Sequence, residues 1–188
     1  MSLRTATTLT TILAALPALS TALCKGPPVN IPTLDLIKSF EKMVPDVYDD
    51  GAGNPTIGYG HLCVDWECSD VPFPKPLSEP DASNLLAGDL VRFQDALTNA
   101  LADPVTLNDN QYGALVSWTF NIGEGHMRSS DLVRDMNAGQ HPVDVANREL
   151  PLWVNAGGQR MEGLVRRRQA ELDLFNRPSG VPALPVPC

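Results

Sequence analysis

Positive charge is scarce in this 188-residue sequence. Lysine and arginine number 14 against 22 aspartates and glutamates, a formal net charge of −8. One basic run occurs, Arg166-Arg167-Arg168. A protein that docks on nucleic acid or anionic lipid concentrates cations on one face. The balance here excludes a DNA or RNA partner and electrostatic docking to a membrane. Aromatic residues are few, at 6%, but 43% of the chain is hydrophobic and 19% charged, which is a globular and not a disordered composition. The length suffices for one domain, and no internal repeat or second domain is visible. A usable N-glycosylation sequon is also missing, because Asn54-Pro55-Thr56 carries proline in its middle position.

What is present begins with an address. Met1 to Ala22 reads as a secretory signal peptide: Arg4 supplies the positive end, Leu9 to Leu19 is apolar, and Ser20-Thr21-Ala22 offers a small-residue cleavage site. The alternative is a membrane anchor, since the run from Thr5 to Cys24 is uncharged. Its threonines and Pro17 favour secretion. Residues 23–188 are then the single mature domain, one charge more negative once Arg4 is gone. The sequence holds only four cysteines, Cys24, Cys63, Cys68 and Cys188, all in that domain. An even count in an exported chain implies two disulfides, and their spacing is poor for zinc. Of three pairings, Cys63 with Cys68 and Cys24 with Cys188 is favoured, the second tying together two proline-rich ends.

The periodicity predicts a mainly helical α+β chain with one small β-region. Thr33 can cap a helix to about Met43, with Leu34, Ile37 and Phe40 on one face. Val47 to His61 is too rich in glycine, asparagine and proline for a helix; Val47-Tyr48 and Thr56 to Tyr59 read as short strands around a tight turn. A proline-rich loop runs from Leu62 to Pro80. Helical patterns follow from Asp81 to Leu101 with Ser78 as a cap, from Asn108 through Phe120, from Ser130 to Gly139, and from Glu162 to Phe175. Residues 177–188 form a tail without periodicity.

The chemistry gathers where the first helix meets the turns. Glu41 sits among Phe40, Met43 and Val44, surroundings that make a carboxyl hard to ionise and suit a general acid. Asp50 lies in a glycine-rich turn where water and backbone N–H groups keep a carboxylate charged, and Thr56 brings a hydroxyl across that turn. Two carboxylates in unlike surroundings are what glycosidic cleavage requires: one protonates the leaving oxygen, the other serves the oxocarbenium-like centre or the water. On residue types alone, a helix terminus and an ordinary Asp-Asp-Gly turn explain the same letters.

The stretch from Phe40 to His61, with Glu41, Asp50 nine residues on, Thr56 six beyond, and Ile57-Gly58-Tyr59-Gly60-His61, resembles the active-site region of phage-type lysozymes of glycoside hydrolase family 24. Leu107 to Ser117 and Phe120-Asn121-Ile122-Gly123 resemble that family's central helix; Trp153, Gly157-Gly158, Gly163-Leu164-Val165, Arg167-Arg168 and Glu171 resemble its C-terminal signature. The resemblance implies a two-lobed lysozyme-like fold with a small β-hairpin lobe and a cleft. It also implies a muramidase acting on the β-1,4 bond between N-acetylmuramic acid and N-acetylglucosamine in bacterial peptidoglycan, without metal or cofactor. By family role Glu41 is the proton donor, Asp50 activates water or stabilises charge, and Thr56 positions the water, with inversion at the anomeric carbon. Lys42 stands where glycine is frequent, and Asp49 competes with Asp50 for its role, which spacing gives to Asp50.

Secondary candidates follow. His61 is a substrate contact or a structural partner for a nearby acid. Asn121 is a contact for a sugar amide, and one of Arg167 and Arg168 turns inward to Glu41. Trp118 and Trp153 read as core. The signal peptide and proline-rich ends suggest a secreted fungal member, acting as a monomer. A chain this acidic is repelled by anionic cell walls, so an acidic optimum is expected. A chitinase-like glycosidase and a non-catalytic wall-binding protein remain as alternatives.

Overall fold

The computed structural model of the protein describes residues 23–188; Met1 to Ala22, read above as a signal peptide, lie outside the described residues. The first helix, α1 (Ile31–Phe40), starts three residues earlier than expected, because Asn30 and not Thr33 caps it. Pro32 falls in the first turn, where a missing N–H costs nothing. Thr33 is buried instead, its hydroxyl donating to Asn30 Oδ1 at 2.7 Å. The helix stops at Phe40, so Met43 and Val44 belong to the next segment and Glu41 is the residue just past the helix end.

The β-region has three strands where two were expected: β1 (Val44–Asp49), β2 (Pro55–Gly58) and β3 (His61–Leu62), antiparallel in that order. Pro55 begins β2, where no ladder N–H is needed, and its carbonyl accepts from Cys63 N at 2.9 Å. Gly58 has φ +67° and lies close to Leu77, Ala82 and Leu85, which seats the sheet on the next helix. That helix, α2 (Glu79–Ala100), is capped by Ser78, whose hydroxyl accepts from Asp81 N.

A short strand β4 (Leu107–Asn108) leads into α3 (Asp109–Ile122), where Asn108 and Gln111 form a reciprocal capping box. Tyr112, Ala114, Leu115, Val116 and Trp118 on α3 are buried, so this helix is the spine of the core. Gly123, at φ 85°, ends α3, and α4 (Glu124–Arg128) begins at once. Ser130 caps α5 (Asp131–Asn137) as expected. Two further elements carry no periodicity to mark them: α6 (Pro142–Glu149), too short for a strong period, and the hairpin β5 (Asn155–Ala156) and β6 (Gln159–Arg160). The last helix, α7 (Glu162–Phe175), has the bounds its periodicity indicated and packs on α3 and α1.

The tail is more ordered than its composition suggests: β7 (Pro182–Leu184) pairs with β4, and Ala183 and Leu184 are buried. Both favoured disulfides are formed, Cys63–Cys68 within the loop and Cys24–Cys188 between the ends, each with Cα atoms 4.9 Å apart. Asn99 accepts from Cys24 N at 2.8 Å and donates to Cys24 O at 2.7 Å, docking that end on α2. No described helix is long and apolar enough to cross a membrane. The result is the mainly helical α+β architecture that the periodicity implied, with a three-stranded β-lobe beside a helical lobe.

Candidate active site

Glu41 gains its place from two helices. As the C-cap of α1 it donates its backbone N–H to Ile37 O at 3.1 Å, and its carboxylate Oε1 accepts from Arg167 Nη1 of α7 at 2.7 Å. Beside the apolar neighbours read from the sequence, a guanidinium faces this carboxylate, whose side chain is 29% exposed. Arg167 also lies over the Phe40 ring, 5.6 Å from its centroid.

Asp50 sits in the exposed turn between β1 and β2. Its side chain accepts from Asn54 Nδ2 at 3.0 Å, Ala52 N at 2.8 Å and Asn54 N at 3.2 Å. These bonds, the Asn54 side chain first, hold its carboxyl below the ordinary range, so it carries charge as expected. Asp49 folds onto a different pair of donors, Gly51 N and Gly53 N. The two acids thus brace one turn from both sides.

Thr56 is buried, and its hydroxyl donates to Asn54 O at 3.3 Å, the same carbonyl that accepts from Asp50 N. It stands directly opposite Tyr48 on β1 and Leu62 on β3, so the three share one face of the sheet, while Ile57 on the other face enters the core. Tyr48 went unnoticed in the sequence. Its phenol is pushed up by burial and by the negative charges of both Glu41 and Asp50, so it lies within electrostatic reach of both carboxylates. The signal was available in its register opposite Thr56.

His61 does not stand free. Its Nδ1 is 2.9 Å from Asp89 Oδ1 on α2 and its Nε2 is 3.0 Å from Asp70 Oδ2 in the disulfide loop. Burial acts to lower its pKa, and bonding to Asp89 and Asp70 outweighs that and raises it. His61, Cys63 and Asp70 lie close enough to suggest a metal, but the Cys63 sulfur is committed to its disulfide. Asn121, at the end of α3, accepts from Arg168 Nη2 at 2.8 Å. Trp118 is fully buried and meets the half-buried Trp153 edge to face at 5.5 Å.

The inward arginine that meets Glu41 is Arg167, and Arg168 beside it is buried as well. They converge on Glu171, which is fully buried: Arg167 Nε donates to Oε1 at 3.3 Å, Arg168 Nη2 to Oε1 at 3.0 Å, and Arg168 Nε lies 2.7 Å from Oε2. Ser117 of α3 donates to Oε1 at 2.9 Å. Burial pushes the Glu171 carboxyl up and the Arg168 guanidinium down, and the ion pair between them acts the other way on each. Arg167 also lines a cavity of about 560 Å³ with Phe40, Met161 and Leu164. A second cavity, about 540 Å³ beside Cys24–Cys188, is lined by none of the candidate site residues.

Residues 38–171 match the phage lysozyme family model. The endolysin of Bacillus phage PZA is 38% identical over 151 residues, which is 79% of this chain and 54% of that protein. The chain thus spans about half the length of that relative, and likewise of the Bacillus phage B103 endolysin, of which it covers 51%. Among solved structures, a P22 lysozyme mutant superposes with a TM-score of 0.68 at 30% identity, covering 79% of this chain and 98% of that one. The muramidase domain of SpmX from Asticaccaulis excentricus does so with a TM-score of 0.66 at 32% identity, covering 80% and 98%. With the family model spanning most of its length and the fold shared with these two structures, the chain belongs to the phage lysozyme family.

Proposed function

We propose that the protein is a lysozyme of glycoside hydrolase family 24 that hydrolyses the β-1,4 bond between N-acetylmuramic acid and N-acetylglucosamine in bacterial peptidoglycan. The reading is supported most by the family match over residues 38–171, which contains Glu41 held by Arg167 at the end of α1 and Asp50 and Thr56 on the neighbouring hairpin. Glu41, partly exposed beside Arg167, gives a proton to the leaving oxygen. Asp50, held charged by its turn, activates the attacking water or stabilises the developing positive charge. Thr56 orients that water. An enzyme with two carboxylates in these separate roles and a water between them inverts the anomeric centre. Asn121 and His61 are assigned contacts at the glycan, Asn121 held there by Arg168 and His61 by Asp89 and Asp70.

The protein is further proposed to be a secreted, monomeric member from a fungus, cleaved after Ala22. Two disulfides in the described residues suit an oxidising compartment. Its net charge gives no basis for binding nucleic acid.

The test is clearing of purified bacterial cell walls by the protein and by Glu41→Gln, with mass spectrometry of the released fragments. Muropeptides with new reducing ends, absent with Glu41→Gln, are expected. No clearing from about pH 3 to 8, or clearing that persists in the variant, would overturn the reading and favour the chitinase-like or wall-binding alternatives.

A further inference from the structure

Two residues assigned to the glycan sit on different helices, Glu41 at the end of α1 and Asn121 at the end of α3. Each is reached by a guanidinium from α7, Arg167 at 2.7 Å and Arg168 at 2.8 Å. Those two guanidinia share one anchor. Glu171, with no exposed surface, accepts from both and from Ser117. The i,i+3 and i,i+4 spacing on α7 is what brings both arginines to a single carboxylate.

We infer that Glu171 is the positioning residue of the site: from behind it sets Arg167 against Glu41 and Arg168 against Asn121. This rests on the reading of Glu41 as the general acid. Glu171 touches no substrate. Its charge divides Arg167 between two carboxylates, so that Glu41 does not hold the guanidinium alone. Without that charge, Arg167 stabilises ionised Glu41 more fully, and a general acid that must carry a proton loses it at lower pH. Among the described residues, Glu41 is bonded by Arg167 of α7, and its charge is felt by Tyr48 of β1. The charges on α1 itself, Asp35 and Lys38, pair with each other, and Lys38 also with Glu79 of α2.

The experiment measures kcat and KM on purified cell walls across pH for the full chain, Glu171→Gln and Glu41→Gln. In Glu171→Gln the alkaline limb of the profile is expected to move about one unit toward acid, with kcat at pH 7 falling about tenfold. An unmoved limb with a folded protein overturns the inference, because a merely structural role lowers the amount of active enzyme without moving the profile. Inactivity of the unaltered protein, or full activity of Glu41→Gln, overturns the underlying reading instead. If Glu171→Gln does not fold, Arg168→Lys tests the second arm. It keeps the charge but loses the guanidinium fork, and it is expected to raise KM several-fold with the limb unmoved. An unchanged KM there overturns the shared-anchor inference.

Discussion

Arg167 joins the two ends of the described helical lobe: a residue of α7 holds Glu41, 126 positions earlier, at 2.7 Å. The same guanidinium is bonded to Glu171 behind it. Arg167→Met therefore removes the cation from Glu41 and leaves Glu171 with Arg168 and Ser117. Glu41 then keeps its proton to higher pH, so the alkaline limb of the activity profile is expected to move toward base, opposite to Glu171→Gln. Breaking this buried pair is expected to cost about 3–5 kcal/mol, read by thermal or denaturant unfolding.

Asp49 and Asp50 brace one turn through different donors, and their roles separate by mutation. Asp50→Asn is expected to lower kcat by about 10²-fold or more with the fold intact. Asp49→Asn is expected to stay within about tenfold, its loss confined to turn stiffness. Steady-state rates on purified walls distinguish them, and a larger loss for Asp49→Asn would reverse the assignment.

His61 joins the β-lobe to α2 and to the disulfide loop through Asp89 and Asp70. Its pKa is raised above the ordinary 6.5 by those partners, against burial. A raised histidine gives its full stabilisation below pH 6.5 and loses it as pH rises through the folded value. The gap in melting temperature between the protein and His61→Gln is expected to be widest near pH 6, equivalent to about 1–3 kcal/mol, and to close in mildly alkaline buffer. A gap that is constant with pH would exclude the linkage.

Cys24–Cys188 spans 164 residues and Cys63–Cys68 only 5. In the chain-entropy picture the long loop contributes about 5 kcal/mol and the short one about 2. Paired serine replacements at each bridge, compared by chemical denaturation, are expected to rank in that order.

On the proposed function, an acidic chain meets an anionic wall. At neutral pH, moderate added salt is expected to speed clearing by screening the repulsion between an acidic enzyme and an anionic wall, and the effect is expected to shrink near pH 4 to 5. Clearing rates over an ionic-strength series at two pH values check both.

Where a local rule decides, the sequence could be read. Ser78, Asn108 and Ser130 cap helices because a side-chain oxygen meets a backbone N–H three residues on, and α7 keeps its expected bounds because its period is unbroken. At the first helix two cap-forming residues compete, and Asn30 wins over Thr33 because Pro32 fits the first turn. β3, α6 and β7 were missed because two to eight residues carry too little period, and β7 exists only through its pairing with the distant β4. In the site, the spacing of Glu41, Asp50 and Thr56 was legible, as were the inward arginine and the acid partner of His61. The convergence of Arg167 and Arg168 on Glu171 was not, because burial of an ion pair depends on what α3 and α1 bring against α7.

The bridge between Cys24 and Cys188 makes residues 24–188 a covalent ring. A single backbone cut in an exposed turn, such as Gly51 to Gly53 or Gly157-Gly158, opens the ring without releasing a fragment. The nicked molecule stays one covalent piece and keeps its two segments at high effective concentration, so the cut ends remain able to re-dock.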